Sequence, residues 1–156
     1  MSRGALSRRA ITHSLPLDRL LTVVTVGVAA VAVYQLVLAV WMAASPHSFF
    51  KQLGPFGLYN RHYIRDLATY NAAIGVTLAL AIKRHSWRVP LLALCTLQFG
   101  LHSINHIVDV NAAHPAWVGY LDVVTLVVSA AVLYWLTRAA MAVAAQEAPE
   151  FTSVDS

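Results

Sequence analysis

The chain alternates between long apolar runs and short polar segments, and four of the runs approach the length of a membrane-spanning helix. Such a helix needs about 20 mostly apolar residues. The second run is mainly apolar only over residues 67–82, and it reaches spanning length only if residues 63–66 join the helix. The predicted spans cover about residues 20–44, 62–82, 89–110 and 117–138, and the last helix can continue through Ala145. This pattern predicts an all-α integral membrane four-helix bundle.

The segments outside these spans have distinct compositions. Residues 1–19 form a basic N-terminal segment, the bundle covers residues 20–145, and residues 146–156 form an acidic, polar tail. The composition of the tail predicts disorder. Residues 45–60, between the first two spans, are too apolar for a plain linker. We expect this segment to lie along the outer membrane interface and to be partly helical.

The first apolar run has two interpretations. Arg8 and Arg9 precede it, as in a twin-arginine export signal, and Ala43 and Ala44 offer small residues for cleavage. The apolar core of a signal peptide, however, is only about 7–15 residues long. Since the run here is much longer, we interpret it as a retained first span.

The overall composition agrees with a membrane protein. Apolar residues make up 58% of the chain and charged residues 12%, with a mean hydropathy of +0.62. Soluble domains have about 25% charged residues. The net charge of +4 could suggest a nucleic-acid partner, but the basic residues cluster between apolar runs. We therefore predict that the partner is the lipid bilayer and not nucleic acid.

The distribution of Lys and Arg predicts the orientation of the chain. Cytoplasmic loops carry an excess of these residues. With the N-terminus inside, eight of them fall on the inner side, and three (Lys51, Arg61 and Arg65) fall on the outer side. We expect both termini in the cytoplasm and a multi-pass location in the inner (plasma) membrane.

The third span carries a polar face near its outer end. Its sequence HSINHIVDV covers residues 102–110. Helical spacing places five polar side chains on one face, namely Gln98, His102, Asn105, His106 and Asp109. The opposite side, predicted to meet lipid or apolar neighbours, carries Leu97, Leu101, Ile104 and Ile107. At about 1.5 Å per residue, His106 lies roughly 6 Å and His102 roughly 12 Å from the outer end.

Two other spans bring ionisable residues to a similar depth. His62 and Asp66 share a face at the start of the second span, and Asp122 follows the start of the fourth. Intramembrane ionisable residues usually face the bundle interior and pair there. The sequence predicts a shared pocket near the outer leaflet, built by His62, Asp66, His102, His106, Asp109 and Asp122. Arg61, Arg65, Tyr70 and Asn105 are expected around it.

Several kinds of site fit this pocket. One is a hydrogen-bonded structural contact, although an interhelical bond contributes only about 0.6 kcal/mol on average. Another is a transition-metal site for zinc, copper or iron, since histidines four apart can hold one ion and carboxylates can ligate or orient. His62 would supply a third nitrogen, and Asp66, Asp109 or Asp122 an oxygen. An open position would then allow chemistry on bound water or oxygen.

A b-type haem and a transport pathway are further alternatives. Haem would need axial histidines from facing helices, for instance His62 and His102. Small residues such as Gly27 and Gly75 would leave room for it, but they serve equally for close helix packing. A proton relay through Asp122 and the histidines would suit transport. Gln35 either forms a hydrogen bond across the bundle, which we favour, or marks a water-lined cavity.

Two short motifs carry a family resemblance. The pattern N-x-H-x-x-R-D is formed by Asn60, His62, Arg65 and Asp66. The pattern H-x-x-x-H is formed by His102 and His106. This pair of motifs resembles a group of small, four-span bacterial membrane proteins with no assigned activity. Many members have a further histidine at the position of Asp109. The resemblance implies the four-span layout and adds no chemistry.

The sequence therefore leads to one functional hypothesis with competing forms. The chain is expected to hold a His/Asp pocket at the outer membrane face. In the sharpest form, a bound metal supports redox or hydrolytic chemistry on a lipid-like substrate. In the competing form, the chain is a non-catalytic accessory subunit of a membrane complex, and the pocket only fixes helix packing. The small residues from Gly27 to Ala30 would also allow a homo-oligomer.

Overall fold

A computed structural model describes residues 16–147, and throughout this range the chain is built from helices. The five α-helices are α1 (Leu17–Ala44), α2 (Pro46–Gln52), α3 (Arg61–Ala81), α4 (Arg88–Val108) and α5 (Ala116–Glu147). A single 3-10 turn, His85–Trp87, precedes α4. Within the described range there is no β-strand, which confirms the predicted all-α class.

The helix bounds agree with most of the predicted elements. Helix α1 begins at Leu17, before the predicted first span, and α5 continues to Glu147, so the first residues of the predicted tail are helical. Helix α2 confirms that the segment between the first two spans is partly helical. Residues 1–15 of the basic segment and 148–156 of the tail lie outside the described residues.

Three helical segments are long and apolar enough to cross a membrane: Leu17–Ala44, His85–Val108 and Ala116–Glu147. They indicate a membrane protein. Helix α3 is not among them, because Arg61, Arg65 and Asp66 lower the hydropathy of its first turns.

The outward helix faces carry many large apolar side chains, as a surface in contact with lipid would. On α4 these are the residues predicted to face outward, and all four are exposed: Leu97, Leu101, Ile104 and Ile107. Exposed valines continue this apolar surface on the neighbouring helices: Val26, Val33, Val37 and Val40 on α1, and Val124, Val128 and Val132 on α5.

The long helices form two antiparallel pairs, α1 with α3 and α4 with α5. Small residues allow the close approach within each pair. A Cβ atom on Gly75 of α3 would lie 2.7 Å from Cγ and 3.1 Å from the backbone nitrogen of Leu36 on α1. A Cβ on Gly119 of α5 would collide with the carbonyl oxygen of Val110. These contacts leave no space for a larger residue at either glycine.

The two pairs meet mainly in one half of the bundle, which we call the closed half. It contains the start of α1, the end of α3, the start of α4 and the end of α5. Its buried core is shared by all four helices: Val24, Val28, Ala32, Leu78, Ala81, Leu92, Cys95, Phe99, Leu133, Leu136, Ala139, Ala140 and Val143. Gly27 brings α1 against α5, since a Cβ there would lie 2.6 Å from Cδ2 of Leu136.

Arg88 ties the pairs together at the end of the closed half. This side chain is only 3% exposed. Its Nε donates to the carbonyl of Ala81 at 3.1 Å, and its Nη2 donates to that of Ile82 at 2.8 Å. A cation at these carbonyls also interacts favourably with the C-terminal end of the α3 dipole. The first residue of α4 therefore caps the last turn of α3.

The other half, which we call the open half, has a smaller core. Met42, Ile64 and Ala68 pack there with Leu38, Phe49 and Phe50, all from α1, α2 and α3. Since no residue of α4 or α5 belongs to this described cluster, the two pairs separate in the open half. The space between them is the candidate functional site.

Candidate functional site

A cavity of about 350 Å³ lies between the two helix pairs in the open half. Cavities that bind small molecules have volumes of about 300–1,000 Å³ and are mostly apolar with a few placed polar groups. Its walls follow that pattern. The apolar lining includes Leu38, Met42, Phe49, Phe50, Leu53, Phe56, Ile64, Leu67, Phe99 and Leu126. The polar lining includes Gln35, Asn71, Gln98, His102, His106, Asp122 and Thr125.

Helix α2 and the segment after it cover one side of the cavity and form a roof, residues 46–60. Phe56 forms an isolated backbone bridge with Ala113, and the backbone N–H of His114 donates to the carbonyl of Pro55 at 3.3 Å. Gly57, with φ of 64°, supplies the left-handed turn between these contacts and α3. The roof is therefore attached to the α4–α5 loop as well as to the first helix pair.

His102, His106 and Asp122 form a line of polar contacts along the cavity wall, which we call the His–Asp chain. The Nε2 atoms of His102 and His106, one turn apart on α4, are 3.0 Å from each other. Nδ1 of His106 lies 3.7 Å from Oδ2 of Asp122 on α5. With its proton on Nδ1, His106 directs that proton toward the carboxylate and accepts the Nε2–H of His102. This tautomer makes both contacts favourable.

The chain sits in an apolar environment. The side chains of His106 and Asp122 are 15% and 8% exposed. The ring of Phe56 meets the ring of His106 edge to face, with 4.8 Å between centroids. Among the described residues, no lysine or arginine lines the cavity. The site therefore has a carboxylate and two imidazoles but no neighbouring permanent cation.

Two buried oxygen atoms at the cavity lack a donor. Gln35 of α1 is 2% exposed, and its Oε1 accepts no hydrogen bond from the described part of the chain. Oδ2 of Asp122 also accepts no hydrogen bond within the described residues, because Nδ1 of His106, which faces it, is 3.7 Å away. A buried polar group without a partner costs about 1–3 kcal/mol. Both oxygens therefore mark places where a hydrogen-bond donor would stabilise the protein.

The structure divides the predicted ligand set into two groups. His102, His106 and Asp122 line the cavity together, whereas His62, Asp66 and Asp109 do not. Nε2 of His62 lies 3.5 Å from Oδ2 of Asp66, and these side chains are 88% and 55% exposed. Asp109 is exposed and caps the C-terminal end of α4. Of the residues expected around the pocket, none lines the cavity: Arg61, Arg65, Tyr70 and Asn105.

This division affects the cofactor hypotheses. Within residues 16–147, no group of three or more His, Cys, Asp or Glu side chains is close enough to hold a metal ion. The nearest arrangement is the pair of imidazole nitrogens of His102 and His106. His62, the suggested haem partner of His102, is on the outside of α3 and does not border the cavity.

Sequence reasoning did not predict Asn71 as a lining residue, and it gave a cavity position for Gln35 only as the second alternative. We favoured an interhelical hydrogen bond for Gln35, but its oxygen faces the cavity without a donor. Asn71 lies one turn beyond Leu67 on α3, and its Nδ2 donates to the carbonyl of that residue at 2.9 Å. The available signal was that each is an amide within an otherwise largely apolar segment.

Comparison of the chain with protein-family models, curated proteins and solved structures gave no match.

A substitution of Gln35 tests whether this side chain belongs to a binding site or stabilises the contact between helices. We expect Gln35→Leu to leave the free energy of unfolding unchanged or to raise it by up to about 1–3 kcal/mol, because it removes a buried acceptor without a donor. The control is Thr137→Val. The hydroxyls of Thr96 and Thr137 lie 3.0 Å apart between α4 and α5, so this change should lower stability by about 0.6 to 2 kcal/mol.

Thermal unfolding of both variants in detergent measures this difference. If Gln35→Leu loses as much stability as Thr137→Val, or more, then the side chain of Gln35 contributes to helix packing.

Proposed function

We propose that this chain is a multi-pass plasma-membrane protein that binds a small, mainly apolar molecule through its polar end, in a His/Asp pocket near the outer face. One observation carries the proposal. Oε1 of Gln35 and Oδ2 of Asp122 are buried at a cavity of about 350 Å³ and lack donors among residues 16–147. A packing contact that left both atoms unpaired would destabilise the fold it serves.

The charges and hydrogen-bonding groups of the cavity indicate the chemistry of the bound molecule. Apart from Nδ1 of His106, which faces Asp122, the unpaired buried atoms at the cavity are the oxygens of Gln35 and Asp122, so the molecule should offer a donor such as a hydroxyl group. Asp122 is a carboxylate, and no lysine or arginine among the described residues lines the cavity to balance an incoming anion. Binding of a phosphate or carboxylate head would therefore be opposed by repulsion in an apolar environment. An uncharged hydroxyl head fits best.

A four-span topology places the cavity at the outer face. Helix α3 has 21 residues, and a helix of that length measures about 31 Å, enough to cross the hydrocarbon core. It also packs along α1, which is a span by its own hydropathy. With the N-terminus inside, eight of the eleven basic residues fall on the inner side, and this bias supports a cytoplasmic location for both termini. The open half then lies toward the outside.

Cysteine labelling in intact cells tests this topology. In a chain with Cys95 replaced by Ala, we expect Ala112→Cys, in the α4–α5 loop, to react with a membrane-impermeant maleimide. We expect Lys83→Cys, in the α3–α4 turn, to react only after permeabilisation. Both positions are exposed, so access to the reagent decides the outcome. The reverse pattern, or labelling of both positions in intact cells, would contradict the proposed topology with four spans and cytoplasmic termini.

Stabilisation by simple amphiphiles tests the ligand chemistry. We compare decanol, its methyl ether, which has no donor, and decanoate, which is anionic. We expect decanol alone to raise the unfolding temperature, and at 100 times its Kd the gain in free energy would be about 2.7 kcal/mol. Because one hydroxyl donates to only one of the two oxygens at a time, the double variant with Gln35→Leu and Asp122→Leu should remove the response. His62→Ala, which changes an exposed residue away from the cavity, should keep it.

Two outcomes of this comparison would overturn the proposal. If decanoate or the ether stabilises the protein as much as decanol does, the cavity does not select a donor. If all variants respond alike, the amphiphiles act on the membrane surface of the protein and not in the cavity.

A transition-metal centre is the second candidate, and the geometry of the His–Asp chain favours it. The 3.0 Å between the two Nε2 atoms is close enough for both to ligate one ion, since metal–nitrogen bonds are about 2.0–2.1 Å. Asp122, next to Nδ1 of His106, has the orienting position that a carboxylate commonly takes behind a ligating histidine. The remaining ligands would be water or the polar end of the bound molecule. Zinc, copper or iron there would support hydrolytic or redox chemistry.

Metal analysis separates this candidate from its competitors. Protein purified without a His-tag or chelating resin should contain close to one zinc, copper or iron per chain. The metal should be lost in a double variant with His102→Ala and His106→Ala and retained in His62→Ala. Metal-free protein contradicts the metal centre, and a Soret band would select haem instead. Metal-free protein that co-purifies with a larger membrane complex or a second copy would favour the accessory subunit.

A further inference from the structure

A second space adjoins the cavity. It is a groove of about 280 Å³ between α1 and α5. Its lining is almost entirely apolar: Gly27, Ala30, Val31, Tyr34, Phe99, Val128, Ser129, Val132, Leu133 and Leu136. We call it the α1–α5 groove. Nothing in the proposed binding of a polar head uses it.

Two aromatic residues join the groove to the cavity. Tyr34 of α1 and Phe99 of α4 line both spaces. Their ring centroids are 6.1 Å apart and the rings are tilted by 50°. Since these side chains form a common wall, a molecule that passes beside them would occupy both spaces. Gln35, with its unpaired oxygen, follows Tyr34 directly in the sequence.

The dimensions and depth of the groove suit one aliphatic chain. It extends along α1 from Tyr34 to Gly27, a distance of about 10 Å at 1.5 Å per residue. The contact of Gly27 with Leu136 closes its far end. Because Tyr34 lies about 15 Å from the end of α1, the groove begins near the middle of a bilayer about 30 Å thick. Hydrocarbon chains are the groups normally present at that depth.

The groove is also accessible from lipid. Val128 is 56% exposed and Val132 is 57% exposed, so its α5 edge faces the surroundings of the protein. A chain can therefore enter from the side. Lipid tails are as apolar as the groove walls, so burial there gains little hydrophobic free energy. The groove should select the shape of the chain, while the hydrogen bonds in the cavity retain the head.

We propose that the molecule bound by this protein is a single-chain amphiphile whose hydroxyl head lies in the cavity and whose aliphatic chain passes Tyr34 and Phe99 into the α1–α5 groove. This inference rests on the proposed function, because it needs a head group in the cavity. It narrows the preferred ligand to the class of long-chain alcohols, whose chains extend beyond the cavity.

Photolabelling of the full chain in phosphatidylcholine vesicles tests the inference. The long probe is hexadecanol with a diazirine at its terminal carbon, and the short probe is hexanol with the same group. We expect the short probe to label peptides that line the cavity around Gln35 and His102. The long probe should label residues 128–136 and 27–31, and excess unlabelled hexadecanol should suppress this labelling.

A matched pair of substitutions removes the ambiguity of labelling by bulk lipid. Val128→Trp fills the groove, and Ala30→Leu fills it from α1. Val124→Trp is the control, because Val124 lies one turn earlier on α5, is 59% exposed, and lines neither space. We expect loss of the competed long-probe labelling in Val128→Trp and Ala30→Leu, with no change in Val124→Trp. Cavity labelling by the short probe should persist in all three.

The outcomes distinguish failure of this inference from failure of the proposed function. If the short probe labels the cavity but competed long-probe labelling survives Val128→Trp and Ala30→Leu, the chain does not use the groove. If unlabelled hexadecanol does not suppress labelling by the long probe, the aliphatic chain likewise does not bind in the groove. If the short probe fails to label the cavity in the wild-type protein, the cavity does not hold a hydroxyl head and both proposals fall.

Discussion

The site depends on one packing constraint, the unequal contact between the two helix pairs. In the closed half, Gly27 allows Leu136 to lie against α1, and Arg88 binds the last carbonyls of α3. In the open half, the described apolar core is confined to the first pair and α2. Protein interiors are close-packed, so a gap of this size needs a fixed frame around it. The closed half supplies that frame and keeps the open half apart.

This frame explains why polar groups can persist at the cavity. Asp122 and His106 are held on different helices of the second pair, and Gln35 is held on the first. In a core without a cavity, each of these polar side chains would need a hydrogen-bond partner on a neighbouring residue. Here the separation of the pairs leaves Gln35 without a donor while the helices that carry it stay well packed. The stability lost through the unpaired atoms is therefore offset by close packing elsewhere in the protein, as is common at functional sites.

Helical periodicity was sufficient to predict the elements and the third span. The all-α class, the helical segment between the first spans and the outward face of α4 are confirmed. The cavity position of His102 and His106 follows from the same argument, because residues one turn apart share a helix face. The number of spans depends on α3, whose charged first turns weaken the hydropathy signal.

The face of α3 could not be predicted from the same reasoning. We assumed that His62 and Asp66 face the interior because they are ionisable. They lie in the first two turns of α3, where polar groups can remain solvated at a membrane edge, so the usual cost does not apply. The orientation is set instead by Ile64, Ala68 and Gly75, which pack toward the bundle interior. Small and apolar residues determined the helix face, and the charged residues occupy the opposite, exposed side.

The attachment of the roof has a consequence for exchange kinetics. One backbone hydrogen bond from His114 to Pro55 and one isolated bridge from Phe56 to Ala113 hold it to the α4–α5 loop. Movement of the roof away from the α4–α5 loop breaks these contacts and the ring contact between Phe56 and His106, while Phe49 and Phe50 still pack against the first helix pair. Loop motions occur in nanoseconds to microseconds, whereas collective helix motions take microseconds to milliseconds. The residence time of a molecule bound in the cavity would then be set by its affinity for the cavity walls. Opening of the roof would slow its release only slightly.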